Sequence, residues 1–185
     1  MKLSILIPTL PNRKEMLEEL LNTLWSQAKK HSLENYFEIL IDDDSLMNIG
    51  EKRNKMLQSA SGKFVVFIDD DDEVSDDYLY AIIGAITINP NADCVGMRGY
   101  ITFDGQNKKE WSISKNHQKW FEQDNIYFRT PNHISPVRTE IAKKCGFPAL
   151  KDGEDYAYSM AILPYLQTEI FIDKEIYHYK YVSKK

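Results

Sequence analysis

Three short apolar runs, Leu3 to Ile7, Phe37 to Ile41 and Phe64 to Ile68, alternate with stretches of helical periodicity, and each run ends in polar residues. Nearly continuous apolar runs of this length read as strands covered on both faces, the kind that parallel sheets use. The stretches between them read as helices. Asn12 with Glu15 predicts a capping pair, followed by Met16, Leu17, Leu20, Leu21, Leu24 and Ala28 on one face. Asn48 with Glu51 repeats the signal and Gly62 follows the second helix. Ser75 with Asp76 and Asp77 predicts the start of a third helix, which bears Leu79, Ile82, Ile83 and Ile86 and stops near Asn89-Pro90. Strand-helix units joined by short links imply an α/β fold with a mostly parallel sheet between helical layers.

After Pro90 the alternation is lost. Cys94 to Phe103 predicts a strand and Asp104-Gly105 a turn, whereas the polar segment up to Asp124 shows no periodicity. Ile134 to Val137 predicts a strand. Thr139 to Cys145 predicts a helix closed by Gly146, with Phe147 placed for a Schellman contact. Asp152 is expected to cap a helix from Gly153 to Leu163, ended by Pro164, and Ile170 to Val182 predicts one or two strands. No linker divides the 185 residues, so the expectation is a single domain over 1–185.

Composition removes several function classes. The net charge is −5 and no segment concentrates Lys and Arg, so a nucleic-acid footprint is not visible. Two isolated cysteines build neither a disulfide framework nor a zinc cluster. The apolar start stops at Pro8, too soon for a signal peptide, and no run of apolar residues is long enough to span a bilayer. A cytoplasmic, soluble protein is expected.

The chemistry lies at the strand ends. In an open parallel sheet ligands sit beyond the carboxyl ends of the strands, and here those ends carry Pro8-Thr9, Asp42 to Ser45 and Asp69 to Glu73. Two acidic clusters on one edge repel each other unless cations or donors lie among them. Carboxylates without nearby Cys or His suit a hard cation, Mg²⁺ or Mn²⁺, with open positions for phosphate oxygens. A calcium loop starting at Asp69 fails, because Val74 and Tyr80 stand where it needs Gly and Glu. Phosphate-loop, dinucleotide and zincin motifs are absent.

Four segments in order carry a resemblance: Ile7-Pro8-Thr9, Ile41 to Ser45, Gly50 to Asn54, and Phe67 to Asp72. Together they resemble glycosyltransferase family 2, of the GT-A fold. The resemblance implies a three-layer α/β/α sandwich of Rossmann-like type, with a nucleotide-sugar half over about 1–100 and a small acceptor and catalytic half over 101–185. It implies a donor site of Pro8, Thr9, Asp43, Arg53, Asp69 and Asp70, and a metal, Mn²⁺ or Mg²⁺, on Asp71 with His178. It gives Asp155, with Glu154 as second choice, as catalytic base, and His133 on the acceptor side. Read without the resemblance, Arg53 would be a solvated helix arginine paired with Glu51 or Asp43, and Trp111 and Trp120 would be core or lid. Asp44 stands where the family usually has Gly, and Leu10-Pro11-Asn12 replaces its aromatic-Asn pair.

The resemblance implies inverting transfer of a sugar from a nucleoside-diphosphate sugar, with a UDP-sugar expected, to a hydroxyl of a glycan, lipid-linked sugar, protein or modified nucleobase. Two alternatives stand beside it: a sugar-nucleotide-binding module without catalysis, and a sugar-phosphate nucleotidyltransferase. The absence of Gly between Pro8 and Lys14 counts against the latter.

Overall fold

The computed structural model describes residues 1–183. Its first half is the expected alternation: β1 (Leu3–Pro8), α1 (Lys14–His31), β2 (Phe37–Asp42), α2 (Ile49–Ser59), β3 (Phe64–Phe67), β4 (Glu73–Val74) and α3 (Tyr78–Ile88). β1 lies between β2 and β3 and pairs with both in parallel. The chain therefore winds to one side of β1 and then to the other, which opens a crevice at the carboxyl ends of these strands.

The two faces of the sheet bury separate cores, as the period of two along a strand requires. Leu3, Ile5 and Ile7 pack with Leu20, Leu24 and Ala28 of α1 and with Leu79, Ile82 and Ile86 of α3. On the opposite face Leu6, Val65 and Phe67 pack with Met56 and Leu57 of α2 and with Tyr158 and Ile162. Helices thus cover both sides, giving the three-layer GT-A-like α/β arrangement. Burying an aliphatic or aromatic side chain of this kind contributes roughly 1.5–3 kcal/mol.

The second half is less parallel than its sequence suggests. β5 (Cys94–Phe103) turns through Asp104-Gly105 into β6 (Gln106–Ile113), and β7 (Phe121–Gln123) pairs antiparallel with β8 (Ile126–Arg129). The polar segment that showed no periodicity is this meander; its charged strands are half-solvated, so hydrophobicity does not mark them. The expected strand at Ile134 to Val137 shrinks to β9 (Val137–Arg138). α4 (Thr139–Cys145), α5 (Glu154–Ile162) and β10 (Glu169–Tyr181) complete the chain. β10 runs parallel to β5 and antiparallel to β4, so one mixed sheet continues through both halves.

Several local expectations change. β2 is the edge strand: only Phe37 is buried and Ile41 is exposed. The residue before α1 is Arg13, with no side-chain cap, because Asn12 is taken up in a turn that the Arg13 amide closes onto the Leu10 carbonyl. Asp77 precedes α3 without capping it; its carboxylate takes the Ser75 hydroxyl and Lys174 instead. Gly153, in the left-handed region, precedes α5 in place of an Asp152 cap. Gly146 ends α4, but the Phe147 amide donates to Asn54 rather than closing a Schellman turn. The Asn48–Glu51 capping box forms in full.

Candidate active site

α2 is held against the 148–150 loop by a close approach. A Cβ on Gly50 would lie 1.9 Å from the Pro148 carbonyl oxygen, so only glycine fits. That contact fixes the next turn of α2, whose Lys52 and Arg53 are both almost wholly buried. Lys52 Nζ donates to the Thr9 carbonyl at 2.7 Å. Arg53 donates to Glu154 at 2.5 Å and to Asp69 at 3.0 Å, and its guanidinium lies 5.7 Å from the ring centres of both Phe67 and Phe147. It is therefore no solvated arginine: neither Glu51 nor Asp43 pairs with it among the described residues. One buried cation ties the end of β3 to the start of α5, although these lie far apart in sequence.

The four aspartates after β3 point in different directions. Asp69 faces Arg53 and lies 3.6 Å from His133 Nε2. Burial opposes its ionisation, but Arg53 and then His133 outweigh that and hold its pKa well below the usual carboxylate range. Asp70 is buried and accepts from Thr9 Oγ1 at 2.5 Å and from Arg13 at 2.7 Å. Asp71, half-buried, pairs with Arg13 at 3.1 Å. Burial raises its pKa, Arg13 opposes, and the charges on Asp69 and Asp70 push it up again. Asp72 accepts from the Tyr177 hydroxyl at 2.7 Å and the Lys180 amide at 2.9 Å, and burial with the charge on Asp69 raises its pKa well above the usual range.

A cleft of about 420 Å³ opens between these elements. Arg53, Asp69, His133, Glu154 and Asp155 all line it, so five of the residues expected from the sequence converge there. Glu154 is buried on Arg53, whereas Asp155 lines the cleft and, among the described residues, accepts only from the amide of Tyr156. The far wall carries Trp120, Arg129 and Tyr179. Burial, then the charges of Asp72, Asp69 and Asp71, push the Tyr179 hydroxyl up to about 12.

Other expected residues lie elsewhere. Pro8 and Thr9 are buried at the end of β1, beside Asp70, and do not line this cleft. Asp43 is exposed, over a separate shallow depression with Asp42 and Lys55. The metal expectation for His178 needs correcting. Side chains alternate along β10, so Tyr177 and Tyr179 face the site and His178 faces away. Its ring stacks on Tyr100 and hydrogen-bonds Thr102 at 2.8 Å and Glu73 at 3.0 Å. Among the described residues no group of three or more His, Cys, Asp or Glu is arranged to hold a metal. Asp71, paired with Arg13, does not line the cleft and Asp69 does; the donors these two offer are all oxygen. That set fits a hard cation held by one or two carboxylates and completed by phosphate oxygens.

Arg13, Arg129 and Tyr179 were missed by sequence reasoning. Arg13 sits outside any regular element. Tyr127 and Arg129 share one face of β8, a signal that becomes readable only once that strand is recognised.

The model of the family described as "Glycosyl transferase family 2" matches residues 47–146, more than half of the chain. The chain belongs to glycosyl transferase family 2. No curated protein matches its sequence. Among solved structures it is similar to the crystal structure of S. aureus TarS 1-349, with a TM-score of 0.70 and 21% identity over 97% of this chain and 60% of that one. The same protein in complex with UDP-GlcNAc matches with a TM-score of 0.71 and 20% identity over 100% of this chain and 60% of that one. Its complex with UDP matches with a TM-score of 0.70 and 21% identity. The likeness is one of fold, and this family 2 chain spans about 60% of the length of those structures. None of its helices, among the described residues, is long and apolar enough to cross a membrane.

Proposed function

We propose that the chain transfers a sugar from a UDP-sugar to an acceptor hydroxyl with inversion at the anomeric carbon, and that Asp155 is the general base. The observation that carries this reading is the pair at the start of α5. Glu154 is neutralised by Arg53, while Asp155 stands one residue on, without a cationic partner among the described residues, at the cleft that Asp69 also lines. The first turn of a helix favours a carboxylate as the anion. UDP as the nucleotide is taken from the similar fold of a protein solved with UDP-GlcNAc and with UDP.

In this reading the acceptor oxygen forms a bond to the anomeric carbon as the bond from that carbon to the diphosphate oxygen breaks. The hydroxyl proton passes to Asp155 and the electron pair leaves with the diphosphate. Arg53 keeps β3 and α5 in register, so that the donor end and the base hold a fixed separation. A divalent cation, Mn²⁺ or Mg²⁺, would be held by Asp71 with Asp69 and would offset charge on the leaving diphosphate. Thr9 and Asp70, hydrogen-bonded to each other, brace the donor side; Asp43 would reach only an outlying part of the nucleotide.

The test is UDP release from a UDP-sugar in the presence of Mn²⁺, with the full chain and with Asp155→Asn. The variant should lose on the order of 10²–10⁴ in transfer rate while keeping UDP affinity. Unchanged turnover would remove Asp155 from its role. Pyrophosphate released from a nucleoside triphosphate and a sugar phosphate would replace the whole reading with nucleotidyl transfer.

A further inference from the structure

Arg129 is a half-buried cation on the cleft wall with no ion pair and no side-chain hydrogen bond among the described residues. Most cations withdrawn from water pair with an acid or hydrogen-bond a carbonyl, because an uncompensated charge is unfavourable there. The contrast within this cleft is direct, since Arg53 holds two carboxylates.

The surroundings hold Arg129 in place without neutralising it. Its guanidinium stacks over the Trp120 ring at 4.6 Å and lies 5.6 Å from the Tyr127 ring centre. Trp120 is itself anchored: its indole N–H donates to Thr130 at 2.9 Å, and Thr130 is hydrogen-bonded to the buried Ser159 of α5. Aromatic faces fix a planar cation and leave its in-plane N–H fork free. The strongest charge acting on Arg129 is Asp155, which does not reach it as an ion pair. Arg129 and Asp155 line the same cleft, whereas Asp70 and Asp71 do not.

We propose that Arg129 is an oxyanion subsite for the acceptor: the accepting molecule carries a phosphate or carboxylate that docks on the free guanidinium fork while its hydroxyl faces Asp155. This rests on the glycosyltransferase reading above and narrows its acceptor class from any alcohol to an acidic one. A planar fork suits either oxyanion in two-point contact.

Calorimetry on the full chain tests it, with matched probes measured both with and without UDP and Mn²⁺: glycerol 3-phosphate against glycerol, and methyl glucuronide against methyl glucoside. The charged member of at least one pair should bind roughly tenfold or more tightly, and which pair responds identifies the oxyanion. Arg129→Gln should abolish that preference, Arg129→Lys should keep part of it, and UDP affinity should not change in either. Equal binding of charged and neutral probes to the unaltered chain overturns the proposal. So does a tenfold loss of UDP affinity in Arg129→Gln, which would assign the arginine to the diphosphate. A preference for UDP-glucuronate over UDP-glucose that vanishes in Arg129→Gln would overturn it too, by moving the subsite to the donor. Failure of the unaltered chain to bind UDP would count against the glycosyltransferase reading alone, because the charge preference is also read without the nucleotide. Melting curves for both variants separate a lost subsite from a lost fold.

Discussion

The two walls of the cleft each carry a partly or wholly buried arginine, and the two are held by opposite means. Arg53 is enclosed by acids on two elements and by two aromatic rings, and the helix bearing it is pressed onto backbone at Gly50. Arg129 is held by stacking on Trp120 and Tyr127, and it lines the cleft without an acid or carbonyl partner among the described residues. A charge with its partners built in is structural as well as functional, since removing it strands the partners. A charge without partners can be removed at little structural cost, and its countercharge must come from a ligand.

The contrast is sharpest in stability. Arg53→Met should leave Glu154 and Asp69 buried beside an apolar stem and cost about 3–5 kcal/mol, a fall in melting temperature on the order of 10 °C for a chain this size. A fall of only a degree or two would mean the ion pairs contribute little. Next in size is Gly50→Ala, where the added methyl meets the Pro148 carbonyl oxygen. Overpacking of this kind costs about 1–3 kcal/mol, and the displaced α2 should also reduce UDP affinity. Loss of stability with full UDP affinity would separate α2 from the donor site.

A smaller effect concerns pH and divides neighbouring aspartates. The raised pKa of Asp72 means that the folded chain holds its proton more tightly than the unfolded chain does. That stabilisation is present below the ordinary carboxylate value and is lost as pH rises through the raised one. Without divalent cations, the unaltered chain should lose urea resistance from mildly acidic to mildly alkaline pH, and Asp72→Asn should lose less. The lowered pKa of Asp69 has the opposite sign: its contribution is present above the ordinary value and disappears as pH falls through the lowered one. Asp69→Asn should therefore flatten the acid limb of the same profile. Smallest is Arg129→Gln, which gives up a stacking contact of about 0.5–2 kcal/mol but strands no carboxylate. A destabilisation matching that of Arg53→Met would break the comparison.

The sequence was most readable where local rules and burial agree. The first three strands, the capping box at Asn48 and Glu51, and the aspartates after Phe67 follow from patterns a few residues long. Asp69 followed from the acidic end of the third strand, whereas Glu154 and Asp155 came only through the family resemblance, because acids in the first turn of a helix commonly do no more than favour that turn. The meander from Gln106 to Arg129 was not readable, since its strands pair with one another in half-solvated positions and carry no apolar signature.

By itself, the sequence determined the α/β winding about β1 and the gathering of acids at one edge, because strand burial and chain direction are set by neighbouring residues. Only the tertiary structure decided which acids share a cleft. It joined Arg53 to Glu154 across 101 positions, turned His178 to the opposite face, and left Arg129 without an acid. The physical reason is range. Periodicity and capping act over one or two turns, whereas an ion pair or an empty guanidinium fork depends on where distant strands come to rest.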